Sequence, residues 1–192
     1  MIIRKEYSVE SAHIVRNCSS ERCAHSIHGH SAKIEVLLRG GLDNAGMVYD
    51  FGLMKSTIKE FIDSMDHCTL FWDRDDDAYI QSIKKHSDRW ISLPFNPTAE
   101  NLAVFVGIAV DHILQHTEFQ NGEHSVKVHG VRYHETATGY AEAESRDIET
   151  TKIVGWLDRT KYSEAVWKDW SANLRKILNG STISNPLPFK QV

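Results

Sequence analysis

The sequence predicts an α+β domain, two long helices on one face of a four-stranded antiparallel sheet. Three observations predict it. Alternating apolar runs stand near both ends of residues 2–146, helical spacing fills the middle, and glycine-rich turns separate the two kinds of stretch. The order is therefore strand pair, helices, strand pair, with each pair antiparallel.

Taken in order, residues 2 to 17 read as a long strand carrying Ile3, Tyr7 and Val9 on one parity, and 31 to 39 as its partner carrying Ala32, Ile34, Val36 and Leu38. Period-two alternation places each set on one face. Arg39-Gly40-Gly41 and Asp43-Asn44-Ala45-Gly46 are turn chemistry. A helix is expected from Phe51 to Met65, because Phe51, Met54, Ile58, Phe61, Ile62 and Met65 recur at spacings of three and four. Asp73 to Asp77 reads as a solvated acidic turn before a short helix, Ala78 to Lys85. Pro94 and Pro97 bracket a loop. It leads into a second long helix, capped by Thr98, with Glu100 at the positive helix end and Leu102, Phe105, Ala109 and Ile113 on the buried side.

Ser125 to Arg146 returns to strand character as a hairpin turning at Thr138-Gly139. Val126 and Val128 share one parity and Val131 and Tyr133 the other, so a bulge is expected at Gly130. Glu135 then shares the face of Val131 and Tyr133, a carboxylate at the end of an apolar face. Residues 148–192 form an extension to the 1–147 domain, with an amphipathic helix marked by Tyr162, Val166, Trp170 and Ile177 that packs on the domain or on a sister subunit.

Composition narrows the function classes. A chain of 192 residues with 41% hydrophobic content buries one substantial core, and a net charge of -4 supplies no basic field for nucleic acid. No apolar run reaches the roughly 18 residues needed to cross a bilayer, and the opening MIIRKEYSVE has no signal-peptide core. A cytosolic location is expected. Three cysteines cannot all pair within one chain and read as free thiols.

The chemistry concentrates between Cys18 and His30. His28 and His30 continue the apolar face of the second strand, and the odd register of the first strand continues to His13. Three imidazoles on the core side need partners, because burying a polar ring without one costs a few kcal/mol. A shared zinc ion would satisfy them and leave a fourth tetrahedral position open, which is the catalytic kind of site. The alternative is core histidines satisfied by backbone carbonyls. A closed zinc site built on Cys18 and Cys23 lacks a second cysteine pair.

These residues carry a resemblance. Ser11-Ala12-His13, Cys23 ahead of His28-Gly29-His30, Gly46-Met47-Val48-Tyr49-Asp50-Phe51, Met65-Asp66-His67, Pro97-Thr98-Ala99-Glu100-Asn101-Leu102-Ala103 and His134-Glu135-Thr136 stand in the order found in the 6-pyruvoyl- and 6-carboxy-tetrahydropterin synthase family, over residues 2 to 146. The resemblance implies the tunnelling fold, in which sheets of sister subunits close a barrel, with a homo-hexamer as the usual assembly. It also implies a lyase acting on 7,8-dihydroneopterin triphosphate. The expected product is 6-carboxy-5,6,7,8-tetrahydropterin, on the queuosine-type route to deazapurines. The 6-pyruvoyl product is the alternative, and a pterin- or purine-binding module without turnover a further one.

Residue by residue, the resemblance implies His13, His28 and His30 as zinc ligands and Cys23 as the proton-abstracting thiol. Asp66 and His67 are implied as a proton-relay pair, and Glu135 as a pterin-anchoring carboxylate that also joins the relay. Thr98 and Glu100 are implied on the substrate. The types suit the chemistry: a thiolate near a cation removes a proton, and a carboxylate accepts paired N–H bonds. Because adjacent residues rarely share a face, Asp66 and His67 are expected in an irregular turn after the first helix.

Overall fold

The structure, a computed structural model, describes residues 1–185. Ile2–His13 (β1) and His28–Arg39 (β2) pair antiparallel along their whole length, from Ile2 opposite Arg39 to His13 opposite His28. Alternation enforces this register. Tyr7, Val9, Ala32, Ile34, Val36 and Leu38 are all buried, and a slip of one residue would turn a whole set toward solvent. A short helix, Glu21–His25 (α1), bridges the strands. There follow helices Phe51–Met54 (α2) and Thr57–Asp63 (α3), strand Cys68–Trp72 (β3), helix Asp77–His86 (α4), strand Trp90–Leu93 (β4), helix Ala99–Gln115 (α5) and strand Thr117–Glu118 (β5). The hairpin Lys127–Thr136 (β6) and Gly139–Glu144 (β7) comes next, then Ser145–Lys152 (α6), Trp156–Arg159 (α7), Lys161–Tyr162 (β8), Glu164–Asp169 (α8), Ala172–Leu178 (α9) and Ile183–Ser184 (β9).

The expected four-stranded antiparallel sheet is present as β7-β6-β2-β1, but it does not stop there. The main sheet has seven strands in the order β7-β6-β2-β1-β3-β4-β8, with β3 parallel to β1, β4 parallel to β3 and β8 antiparallel to β4. The added strands escape a periodicity reading for a physical reason. Cys68–Trp72 is a short run without clean alternation and Trp90–Leu93 has only four residues, so neither carries a period. The fold class stands, and the strand count is corrected from four to seven.

Local chemistry also corrects two helices. The helix expected from Phe51 to Met65 is broken into α2 and α3 around Lys55 and Ser56. There the Ser56 hydroxyl donates to the Leu53 carbonyl at 2.6 Å, a local bond that competes with helix propagation. The amphipathic helix expected through Tyr162 and Ile177 is likewise α8 and α9, because Trp170 is extended and the Ser171 side chain accepts from the Leu174 amide to start a new helix. The short helix expected from Ala78 is seated by the Asp76 carboxylate, which accepts from the Ala78 and Tyr79 amides. Thr98 caps α5 as expected, accepting from the Asn101 amide.

The bulge forms where the parity change requires it. Leu37 faces Gly130 while Leu38 faces Val128, so His129 is the extra residue. Gly130 is needed because a Cβ there would lie 2.9 Å from the Ala143 carbonyl oxygen. α3 and α5 cover the apolar face of the sheet, where Phe105 meets Phe61 and Phe95 with ring centroids 5.7 and 5.5 Å apart. Glu35 projects from the opposite face of β2, buried by its own partners: Arg4 at 2.6 Å and Arg132 at 3.4 Å.

Residues beyond 147 join the same core. Ile148, Val166, Trp170, Leu174, Ile177 and Ile183 are buried in it, and Ile148 fills the notch that Gly107 leaves in α5. The boundary at 147/148 falls inside α6. No helix of the described residues is long and apolar enough to cross a membrane.

Candidate active site

The long β1–β2 ladder delivers three imidazoles to one point. His13 and His28 are the terminal cross-strand pair and His30 lies opposite Ser11, so all three project from the end of the apolar face. Their ring centroids are 4.8, 5.2 and 5.1 Å apart. One ligand nitrogen from each falls within a 4.8 Å cluster. Backbone carbonyls set the tautomers: His13 Nδ1 bonds to the Pro97 carbonyl at 2.8 Å and His28 Nδ1 to the Ser26 carbonyl at 2.9 Å. Each ring thereby keeps Nε2 as a lone-pair donor, the outer-shell arrangement of metal-binding histidines.

Two of those atoms show that the site fits a cation. His13 Nε2 and His30 Nε2 are buried with no hydrogen-bond partner, an arrangement that costs free energy unless something else satisfies them. Burial, helped by the neighbouring His28 and His30 rings and opposed by the Pro97 carbonyl, pushes the His13 pKa down to about 4. At neutral pH His13 is therefore in the ligating, uncharged form. The three histidines could hold a metal ion.

Glu135 completes this cluster. A second irregularity in the hairpin pairs His134 with Tyr140 and Thr136 with Gly139, leaving Glu135 between them without a partner. A bulge re-aims the side chain it carries. Here it brings Oε1 to 3.3 Å from His13 Nε2 and 3.9 Å from His30 Nε2, buried and otherwise unpartnered. The carboxylate thus borders the three-histidine cluster on its His13 and His30 side.

Cys23 is half-buried on α1, and its carbonyl accepts from the Val15 amide at 3.0 Å, two residues beyond His13. Its thiol is not a member of the clustered ligand set. Cys18 is bonded locally, its thiol donating to the Ser20 carbonyl, and the Cys68 thiol is pushed up to about 11 by burial. Thr98 and Glu100 sit at the start of α5, directly after the Pro97 carbonyl that holds His13.

Asp66 and His67 occupy the irregular turn between α3 and β3, where they were expected. His67 has a left-handed backbone, φ 55°. Asp66 Oδ2 bonds His67 Nδ1 at 2.8 Å, while Oδ1 accepts the Glu10 amide at 2.7 Å and the His67 amide donates back to the Glu10 carbonyl at 2.6 Å. Burial opposes the charge on Asp66, but the Glu10 amide and the His67 ring together hold its pKa below the usual value. His67 is 74% exposed, and no hydrogen bond joins the pair to the three histidines among the described residues. The sequence reading missed three contributors. The Pro97 and Ser26 carbonyls carry no side-chain signal, and Arg89, whose guanidinium donates to the Asp66 carbonyl at 3.0 Å, is an isolated arginine with no motif around it.

A mostly antiparallel sheet with helices on one face and three converging imidazoles that could hold a metal defines the class, an α+β protein with a candidate metal site. The chain belongs to the 6-pyruvoyl tetrahydropterin synthase family, a family of lyases, whose model matches residues 2–146. It is 43% identical over 150 residues to a protein of Helicobacter pylori (strain J99) named 6-carboxy-5,6,7,8-tetrahydropterin synthase, covering 78% of this chain and 75% of that one. Among solved structures it is similar to an uncharacterized protein from Wolinella succinogenes, at TM-score 0.62 and 21% identity over 76% of this chain and 98% of that one. It is also similar in fold to the 6-pyruvoyltetrahydropterin synthase of Plasmodium vivax, at TM-score 0.53 and 14% identity over 74% and 97% of the two chains.

Proposed function

We propose that this chain catalyses the zinc-dependent conversion of 7,8-dihydroneopterin triphosphate to 6-carboxy-5,6,7,8-tetrahydropterin, releasing triphosphate and acetaldehyde, on a queuosine-type route to deazapurines. The observation that carries the reading is the convergence of three imidazoles and the Glu135 carboxylate, with Nε2 of His13 and His30 buried and unpartnered. It stands in a chain 43% identical to relatives named for that product. The donor set suits zinc: three imidazoles and an open position are its catalytic arrangement. Bound there, the ion would supply Lewis acidity to substrate hydroxyls and so acidify the neighbouring C–H.

The chain's own groups handle binding and protons. Cys23, on the short helix tied back to Val15, is the base that takes the substrate proton. His67, its tautomer set by Asp66, returns one. Glu135, whose Oε1 stands 3.3 Å from His13 Nε2, is the carboxylate that accepts the amino and ring N–H groups of the pterin and also joins the relay. Thr98 and Glu100, at the start of α5 directly after Pro97, contact the substrate as well. Among the described residues the Asp66–His67 pair makes no bond to the histidine cluster, in keeping with a site completed across subunits of a homo-hexamer. Three free thiols suit a cytosolic location.

The test is direct: purified protein with zinc and 7,8-dihydroneopterin triphosphate should release triphosphate and acetaldehyde and give the 6-carboxy product by mass. A 6-pyruvoyl product would establish the alternative reaction. Binding without triphosphate release would leave a pterin-binding module.

A further inference from the structure

We propose that residues 169–171 of the C-terminal extension are a strut that positions the Asp66–His67 pair, and that this is a function of the extension. The inference rests on the reading of that pair as a proton relay. Its starting point is strain. His67 holds a left-handed backbone conformation that costs a non-glycine residue on the order of 1 kcal/mol and persists only where the surroundings impose it. β1 holds one side of the turn through Glu10. Arg89 holds the other: its Nε donates to the Asp66 carbonyl at 3.0 Å, and Nη2 lies 3.5 Å from the Asp63 and Ser64 carbonyls at the end of α3. A cation there also complements the negative end of the helix.

The extension sets the arginine and the turn from outside. Asp169 pairs with Nη1 of Arg89, orienting the fork whose Nε reaches Asp66. Trp170 Nε1 donates to the Ser64 hydroxyl at 2.6 Å, with both residues buried. The Ser171 amide and hydroxyl both donate to the Glu60 carboxylate, the hydroxyl at 2.8 Å. Three consecutive residues of the extension thus meet Glu60, Ser64 and Arg89, the groups that frame the turn. The packing of the extension does not require this. Val166, Leu174 and Ile177 bury it against the core on their own, while Asp169 is 66% exposed and its ion pair adds little stability. The contacts at 169–171 define geometry. A displacement of about 1 Å at a catalytic group can cost a hundredfold in rate.

The experiment compares wild type with the double variant Asp169→Ala, Trp170→Phe, which keeps an aromatic ring at 170 and removes both polar contacts. The expected result is unchanged zinc content and KM, kcat lowered by about tenfold or more, a displaced pH profile of kcat, and an altered NMR titration of the His67 ring. Asp169→Glu alone should retain the wild-type titration. An unchanged His67 titration and kcat in the double variant overturn the strut. Arg89→Lys, which keeps the charge but loses the fork, should reproduce the defect if the double variant folds poorly. His67→Ala in the same assay separates the two ideas: full activity there refutes the relay reading, and the strut is then decided by the His67 titration alone.

Discussion

Three of the eleven histidines stand apart because one ligand nitrogen from each falls within a 4.8 Å cluster. With Nδ1 of His13 and of His28 bonded to carbonyls, their Nε2 atoms are left as lone-pair donors that could ligate a metal. His28→Ala should therefore lose zinc and activity while the chain stays folded, since His28 is only half-buried and the core lies elsewhere; elemental analysis showing about one zinc per chain in the folded variant would refute the assignment. Acid acts on the same site. The folded pKa of His13 is depressed to about 4 from 6.5, so between those values the unfolded chain binds a proton that the folded chain does not. The metal-free protein should lose stability as pH falls through that window, and thermal melts of wild type against His13→Gln should differ there and converge above pH 7. Glu135→Gln replaces an acceptor by a donor facing the pterin's own donors, so substrate binding should weaken by about 1.5 to 3 kcal/mol, the scale of a hydrogen bond to a charged group. Unchanged affinity by calorimetry would remove Glu135 from the pterin site.

At the scale of elements, two irregularities in β6 set the site. The bulge at His129 lets the apolar parity change, and the break at Glu135 turns a carboxylate toward the imidazoles. Gly130→Ala places a methyl 2.9 Å from a backbone oxygen that cannot swing aside. It should destabilise the protein by about 1 to 3 kcal/mol, the usual cost of overpacking, as a shift in the urea midpoint. A midpoint within error of wild type would mean the strand yields. α1 makes the opposite use of irregularity: a five-residue helix inserted between the histidine-bearing strand ends brings Cys23 back to Val15.

The whole molecule is one core with two functional corners. The imidazole cluster closes the end of the β1–β2 ladder, and the Asp66–His67 turn sits at the start of β3, braced by the extension. Before the Asp66–His67 turn meets Glu10 and β3 meets Ser11, β1 has no strand partner on that side from Ile2 to Val9 among the described residues, and β7 is the opposite edge of the sheet. Open edges invite pairing, and closure with sister sheets removes them. If closure also joins the two corners across subunits, mixing inactive His28→Ala with inactive His67→Ala protein should restore some activity after subunit exchange. A monomer by light scattering at micromolar concentration would overturn the shared site.

Alternation along β1 and β2 is enough by itself to determine which face each side chain takes and to align His13, His28 and His30, because side-chain direction in a strand follows parity. Helical spacing and the Thr98 cap likewise determine α5, and the parity change at Gly130 determines the first bulge. The sequence did not determine the three further strands, the break at Ser56 or the aim of Glu135. The strands depend on neighbours far apart in the chain, such as β1 for Cys68–Trp72, and the other two on local competitions that leave no period: a hydroxyl that outcompetes one helix turn and a hairpin that skips one residue. The extension is the clearest case. Its apolar positions announce burial, but only the tertiary structure decides that Asp169, Trp170 and Ser171 land on the turn carrying Asp66 and His67, because a hydrogen bond across a hundred residues leaves no period in the sequence.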